Sequence, residues 1–533
     1  MESTSGGAGF IDCDNDGKLD IVTVNGSSVE RYRRGGDLMV TLFHQDSDLR
    51  FSDITAGAGL KRKGWGMAVT VADFDNDGWQ DLYVTGYGGN VLYRNLGNCK
   101  FEDVTEKAGV RGGGFSTGAA WGDYDRDGHV DLFVPRYVHE DMNALPAIHA
   151  NGTPCNYLAV RVLCGPDGLT GESDLLFHNR GDGTFEEVSE KAGVGDPDHR
   201  FGMQALWADF ENDGWPDLYV ANDTGANYFY RNQHDGTFED IGLWSGAALT
   251  GEGRLHASMG VDVADFDHTG RFSIIVTNFS QEGMSLFYNL GKSGFDDISS
   301  RAGLLLPTFP YVGWGTSFFD MDNDGWPDIL VANGHAYPQM ESVKGGVPYR
   351  EPLQLFRNNR DRTFEDVSTL SGLDKLPRAS RRGAAFGDVN NDGKIDVLLL
   401  NVGEPPTLLI NRTVSDNHAV LFRLVGTKSN RAAIGARVTV TCGDLIQFNE
   451  VRGGSSYASQ NDLRLHFGLG GNANMNTVEI AWPSGKKDTF HDLPADFIYT
   501  INEDQGVEKK VAFAIERTKP STPALRPKQA ADH

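Results

Sequence analysis

The chain has 533 residues, 39% of them apolar, with 66 Gly and a formal net charge of -26. That is enough apolar material for a large core, and too long a chain for one simple domain unless it is built from repeats. The acidity disfavours nucleic acid and anionic membrane surfaces as partners, and no transmembrane run, signal segment or lipidation motif is visible.

In chain order the first signal is DCDNDGKLD from Asp12. It returns as DFDNDGWQD from Asp73, DYDRDGHVD from Asp123, DFENDGWPD from Asp209, DFDHTGRFS from Asp265, DMDNDGWPD from Asp320 and DVNNDGKID from Asp388. The starts are 61, 50, 86, 56, 55 and 68 residues apart, so the loops belong to an array of supersecondary units. Oxygen donors at positions 1, 3 and 5, a Gly at 6 and a carboxylate at 9 suit Ca²⁺, with the position 7 carbonyl as a backbone ligand.

The expected ligands are Asp12, Asp14, Asp16 and Asp20; Asp73, Asp75, Asp77 and Asp81; Asp123, Asp125, Asp127 and Asp131; Asp209, Glu211, Asp213 and Asp217; Asp265 and Asp267; Asp320, Asp322, Asp324 and Asp328; and Asp388, Asn390, Asp392 and Asp396. These make five to seven Ca²⁺ sites. The site at 265–273 is the weakest, because Thr269 and Ser273 replace carboxylates. A single copy would read equally well as an Asp/Asn/Gly turn. Seven in phase, five of them with four acids, favour a cation, since clustered carboxylates repel one another unless neutralised. The loops hold 25 acidic residues, so much of the negative charge is local to them.

An EF-hand is excluded by position 12, which should carry a bidentate Glu and instead holds Thr23, Val84, Val134, Val220, Val276, Val331 or Leu399. The segment after each loop, as in DLYVTG, DLFVPR and DILVAN, is a short β-branched and aromatic run, so the loop opens a strand. Another strand precedes it (GMAVTVADF, GTSFFDM), and a form of "LYRN, turn, FEDVT, AGV" comes next, as in LYRNLGNCKFEDVTEKAGV from Leu92. Four strands per unit and seven units predict an all-β fold, a seven-bladed β-propeller over 1–412.

Two places depart from the period. An insertion over 137–174 carries Cys155 and Cys164, expected to pair, and one bridge would leave at least three of the five cysteines unpaired. The seventh unit has no FEDVT strand, which implies either a missing upstream "FxDxT" segment or an incomplete blade. After Asn411 the repeat stops. HAVLFRLVG, GARVTVTCGD, LIQFNEVRG, TVEIAWPSG and FIYTINE predict a small β-sandwich over 417–505, followed by a disordered tail at 506–533.

The loops and strands resemble the FG-GAP/VCBS repeats of integrin α-chains and of the cartilage acidic protein family. SNRAAIGARV from Ser429, GGSSYASQNDLRLHFGLG from Gly453 and WPSG from Trp482 resemble an ASPIC and UnbV domain. The resemblance implies a secreted or periplasmic calcium-binding propeller, usually without an assigned activity. It also implies matrix or adhesion-like roles in animals and, for some bacterial members, a place beside natural-product pathways.

Two functions stay open. One is a binding or adhesion-like scaffold with structural ions and a protein or glycan ligand; Tyr457, Trp482 and His466 could meet a sugar, with Trp482 and Phe467 alternatively in the core. The other is an enzyme acting on a small molecule in the propeller's central funnel, with His335, Tyr337, His256, Asp223 and Arg136 as candidate groups and Tyr137, Asn222, Asn278 and Asn333 beside them. Capping of strand ends by these Asn and His side chains is the competing reading. No GxSxG, HExxH or phosphate loop is present. Arg378, Arg381 and Arg382 read as a surface patch.

Overall fold

The computed structural model describes residues 4–139, 153, 155–158, 160–162, 164–166, 168–343 and 346–514. Seven antiparallel sheets succeed one another along the chain, six with four repeat strands and the last with three. Blade two is representative: inner strand Lys63–Ala72, second strand Asp81–Tyr87, third strand Val91–Asn95 and outer strand Phe101–Asp103. Its first two strands are fully buried along most of their length, and so read as continuous apolar runs.

Neighbouring blades bury these faces against each other. Ala8, Phe10, Leu19 and Ile21 of blade one pack on Ala385, Val389 and Leu398 of blade seven, which closes the ring. The FEDVT motif makes the outer strand and the corner after it. Its hydroxyl accepts a backbone N–H from the third strand, as Thr105 does from Leu92 at 3.0 Å and Ser368 from Leu355 at 2.9 Å. Among the described residues blade seven, Arg381–Gly387, Asp396–Asn401 and Thr407–Leu409, has no outer strand.

The insertion is only partly among the described residues. There Asn156–Tyr157 pairs with Val160–Arg161, and Cys155 and Cys164 form a disulfide. A second disulfide, Cys13 to Cys99, corrects the expected count of unpaired thiols and ties the loop of blade one to blade two. Cys442 alone is free, and buried. The two partners stand 86 residues apart, and only the ring brings them together.

Residues 418–512 form two four-stranded sheets. One is ordered Leu465–Gly470, His418–Val425, Phe497–Asn502, Gly506–Ala512; the other Leu445–Glu450, Arg437–Cys442, Asn474–Ala481, Lys487–Pro494. The strand Gly506–Ala512 corrects the reading of 506 as the start of a disordered tail. GVEKKVA carries few apolar side chains because it is an edge strand, held by its backbone ladder to Phe497–Asn502. The remainder of that tail lies outside the described residues.

Between Glu450 and Leu465 the sandwich sends a loop along the propeller axis. Trp121 N–H donates to the Gly453 carbonyl at 2.6 Å, Ser456 and Val261 exchange two bonds of 2.9 Å, and Val69 N–H donates to the Ala458 carbonyl at 3.1 Å. Ala458 N–H donates to Gln204 Oε1 and Thr316 N–H to Ser456 Oγ. Gln460 bonds Ala8 and Phe10, while Asp462 N–H donates to the Phe386 carbonyl. Inner strands of all seven blades thus find a partner in residues 453–462. At Gly7 an added Cβ would stand 2.1 Å from the Ala458 carbonyl oxygen, so only glycine admits this approach.

Candidate metal centres

The acidic loops sit at one end of the ring. Position 1 comes after the inner strand and position 9 begins the second strand in every blade. Position 4 has φ between 56° and 62°, and the Gly at position 6 has φ between 77° and 94°. Asn tolerates this left-handed backbone and Gly adopts it freely, which accounts for the recurring NDG. With the chain so bent, the Gly N–H donates to the position 1 carboxylate in all seven loops at 2.7–3.2 Å.

Position 9 does two jobs at once. Asp81 accepts from Phe74 N–H within its loop and from Asn95 N–H of the third strand, and Asp20, Asp131, Asp328 and Asp396 repeat the pattern. In loop five the Ser273 hydroxyl accepts from Asn289 N–H instead.

The remaining oxygens bear on a cation directly. Ligand atoms of Asp12, Asp14 and Asp16, and of Asp73, Asp75 and Asp81, lie within 4.8 Å of one another. Among the described residues, one oxygen each of Asp12, Asp75, Asp123, Asp125, Asp217 and Asp322 is buried with no hydrogen-bond partner. Burial is the largest influence on the position 1 carboxyls. It raises Asp12 and Asp265 to about 6, Asp73 and Asp123 to about 7 and Asp388 to about 8, and Asp320 well above the usual range. Clustered, desolvated carboxylates with unfilled lone pairs fit a hard divalent cation, and this donor set is all oxygen.

Basic side chains lie over the outer rim of the loops without filling those oxygens. Arg94 meets Asp75 and Asp77, His234 meets Asp213 at 3.0 Å, and Arg360 meets Asp324. Loop five differs: Arg362 Nε stands 2.7 Å from Asp267 and the Thr269 hydroxyl donates to the same carboxylate, so two of its few donors are already engaged. In loop seven Asn390 Nδ2 donates to Asp392 at 3.2 Å. Glu211 is exposed at the rim of loop four.

Two rings of amide side chains, assigned no role from sequence, join the loops. Asn15, Asn76, Asn212, Asn323 and Asn391 at position 4, with His268 in their place in loop five, each reach the Gly carbonyl of the next loop at 2.8–3.0 Å, and Asn391 to Gly17 closes the circle. Arg126 breaks the series and donates to Pro483 instead. The last residue of LYRN makes the second ring. Asn95, Asn179, Asn232, Asn289, Asn358 and Asn411, with Gln45 in blade one, donate at 2.8–3.3 Å to a loop carbonyl of the preceding blade. Recurrence of Asn at one offset was the available signal.

The C-terminal domain docks on this end. Arg423, Arg437 and Arg464 donate to the amide oxygens of Asn15, Asn212 and Asn391, and Arg431 N–H donates to that of Asn76.

The candidate catalytic groups lie at the opposite end, where second strands finish. Tyr137 donates its hydroxyl to Asp223, whose carboxyl burial raises to about 6. His335 is fully buried against Tyr157, Phe279 and Tyr337, with ring centroids 5.1–5.6 Å away, and burial with the nearby Arg382 lowers it to about 4. Burial pushes the Tyr337 phenol up to about 12.

The other candidates hold the chain. His256 bonds Asn278, Arg136 bonds Ser173 and faces Glu172 at 3.8 Å, and Asn222, Asn278 and Asn333 donate to turn carbonyls of Ala226, Gly283 and Pro352. The axial funnel expected to hold a substrate is filled: the phenol of Tyr457 reaches the Thr4 carbonyl at 2.8 Å and its ring meets Trp314. Tyr457, Trp482 and Phe467 are core, and His466 bonds the Gly393 carbonyl, so none of the four presents a sugar-binding face. Arg381 and Arg382 are buried rather than a surface patch, the latter 4.1 Å over the Trp314 ring.

A model of the FG-GAP-like repeat matches residues 12–84, 73–134, 162–220 and 209–276, and a model of the ASPIC and UnbV domain matches 426–508. Human cartilage acidic protein 1 is 28% identical over 336 residues, 60% of this chain and 47% of that protein; the Xenopus tropicalis protein is 26% identical over 290 residues, 52% and 40%. The chain therefore spans about half the length of the curated relatives it matches. Mouse integrin alpha-3 is 34% identical over 98 residues, 18% of this chain and 8% of that protein. Among solved structures, an Agrocybe aegerita lectin recognising terminal N-acetylglucosamine aligns at TM-score 0.39 and 16% identity over 75% of this chain and 86% of its own. The Dos1 propeller aligns at 0.38 and 7% over 76% and 93%. Among the described residues no helix is long and apolar enough to cross a membrane. The chain is an FG-GAP repeat propeller ending in an ASPIC and UnbV domain.

Proposed function

We propose that this protein is an extracytoplasmic, calcium-braced scaffold whose acidic loops hold structural ions and whose end away from the loops meets a protein partner. The observation that carries the reading is the set of buried loop carboxylate oxygens without partners. Calcium would supply the missing ligation and cancel the repulsion within each cluster. Loops one, two, three, four and six offer four acids each, loop seven three acids and Asn390, and loop five two with Arg362 already at Asp267. The two disulfides support an oxidising compartment. A partner is assigned to the far end because the C-terminal domain covers the loops.

Calorimetry of the whole chain tests this. Calcium is expected to raise the melting temperature, a chelator to lower it, and re-addition to restore it. A melting temperature indifferent to calcium would overturn the reading.

A further inference from the structure

Two buried carboxylates stand outside the repeat loops with incomplete partners. Asp174 ends the insertion just before the third strand of blade three, and Asp196 lies in the turn leading to blade four; each is 1% exposed. Asp174 Oδ1 accepts from Arg136 N–H at 2.7 Å, and Asp196 Oδ1 accepts from Arg200 N–H at 3.0 Å and from the Tyr228 hydroxyl. The Oδ2 atom of each is buried with no partner among the described residues. Tyr230 stacks on Tyr228 with ring centroids 4.8 Å apart, is 1% exposed, and buries a hydroxyl that also has no partner there.

The neighbouring cations do not fill the gap. The Arg136 guanidinium bonds the Ser173 carbonyl and faces Glu172 at 3.8 Å. That of Arg200 holds Asp198 at 2.7 Å and the Ala226 carbonyl at 3.1 Å, over the Tyr228 ring. His199 Nδ1 lies 3.3 Å from Ser173 Oγ. Burial and repulsion from Asp196 raise Asp174 well above the usual carboxylate range.

We propose that Asp174 Oδ2, Asp196 Oδ2 and the Tyr230 hydroxyl hold a hard cation of the calcium class, separate from the repeat loops. The donors are all oxygen and two are carboxylates, the pattern that selects such an ion. A bridging water would satisfy the same three atoms but bring no positive charge to the paired carboxyls. A shared proton would join the same two carboxyls without an ion, and the ion count below separates the two. The ion clamps the end of the insertion to the start of blade four, and the inference stands whether or not the loops bind calcium.

The test counts calcium bound to the full chain after desalting from millimolar calcium. Asp174→Asn, of the same shape, is expected to carry one ion per chain fewer than the parent, and Asp196→Asn likewise. Tyr230→Phe keeps both carboxylates and is expected to shift one site of the calcium isotherm to higher concentration. Equal ion counts in the parent and the Asn variants overturn the proposal, because a proton or a water needs no ion. If neither Asn variant folds, an unchanged isotherm for Tyr230→Phe overturns it.

Discussion

At or near the end of each third strand stands an amide side chain, Gln45 in blade one and Asn in the other six, that donates to a loop carbonyl of the blade before it. Asn358, 4% exposed, also donates to the Pro327 carbonyl of its own blade, so its removal strands two buried acceptors. Asn358→Ala is expected to cost about 2–4 kcal/mol in denaturant unfolding, against under 1 kcal/mol for an exposed polar position. A second residue, Glu503, sets a pH limit. Burial would raise its carboxyl, but hydrogen bonds from the Ser484 hydroxyl and the amides of Thr427, Ser429 and Lys428 overcome this and bring it down to about 2. Its folded value is depressed, so the stability it contributes is present above about pH 4.5 and is lost as pH falls toward 2. By linkage the loss is about 3 kcal/mol. Unfolding free energies at pH 7 and pH 3 are expected to converge in Glu503→Gln relative to the parent, and equal pH slopes in the two proteins would refute the assignment.

At the scale of elements, the spacing of acids and glycines revealed the strands on either side of each loop, because a period of nine residues between two apolar runs leaves the chain little else to do. The alternation in HAVLFRLVG and TVEIAWPSG likewise revealed the sandwich. Pairing across the ring was beyond the reach of sequence. Cys13 and Cys99 are no neater a couple than any other two of five cysteines until blades one and two are side by side. Nothing in GGSSYASQND points to the propeller axis, because its hydrogen-bond partners lie in seven different blades, none of them nearby in sequence. Tyr457→Ala is expected to destabilise the protein by about 3–5 kcal/mol, as removal of a buried aromatic does elsewhere. An exposed loop residue would give less than about 1 kcal/mol, so calorimetry separates the two readings.

For the molecule as a whole, the contacts between propeller and C-terminal domain predict that the two unfold together. The loop end of the ring carries the domain on Arg423, Arg437 and Arg464, each of which meets the position 1 and position 4 residues of one loop, and the axis is filled by that domain's own chain. A chain ended after residue 412 leaves backbone groups of the inner strands unpaired along an open channel, each such group costing about 1–3 kcal/mol where water cannot replace the partner. Such a truncation is expected to lose the single cooperative melting transition and to bind a hydrophobic dye, whereas an independent propeller would melt once, near the parent temperature.

The axial loop also orders events in time. Residues 453–462 come after all seven blades in chain order, so the axis stays unfilled until every blade has been synthesised. A segment that follows every blade in the chain is the one they all pair with at the centre, so the inner strands gain their axial partners only after the ring itself has been made.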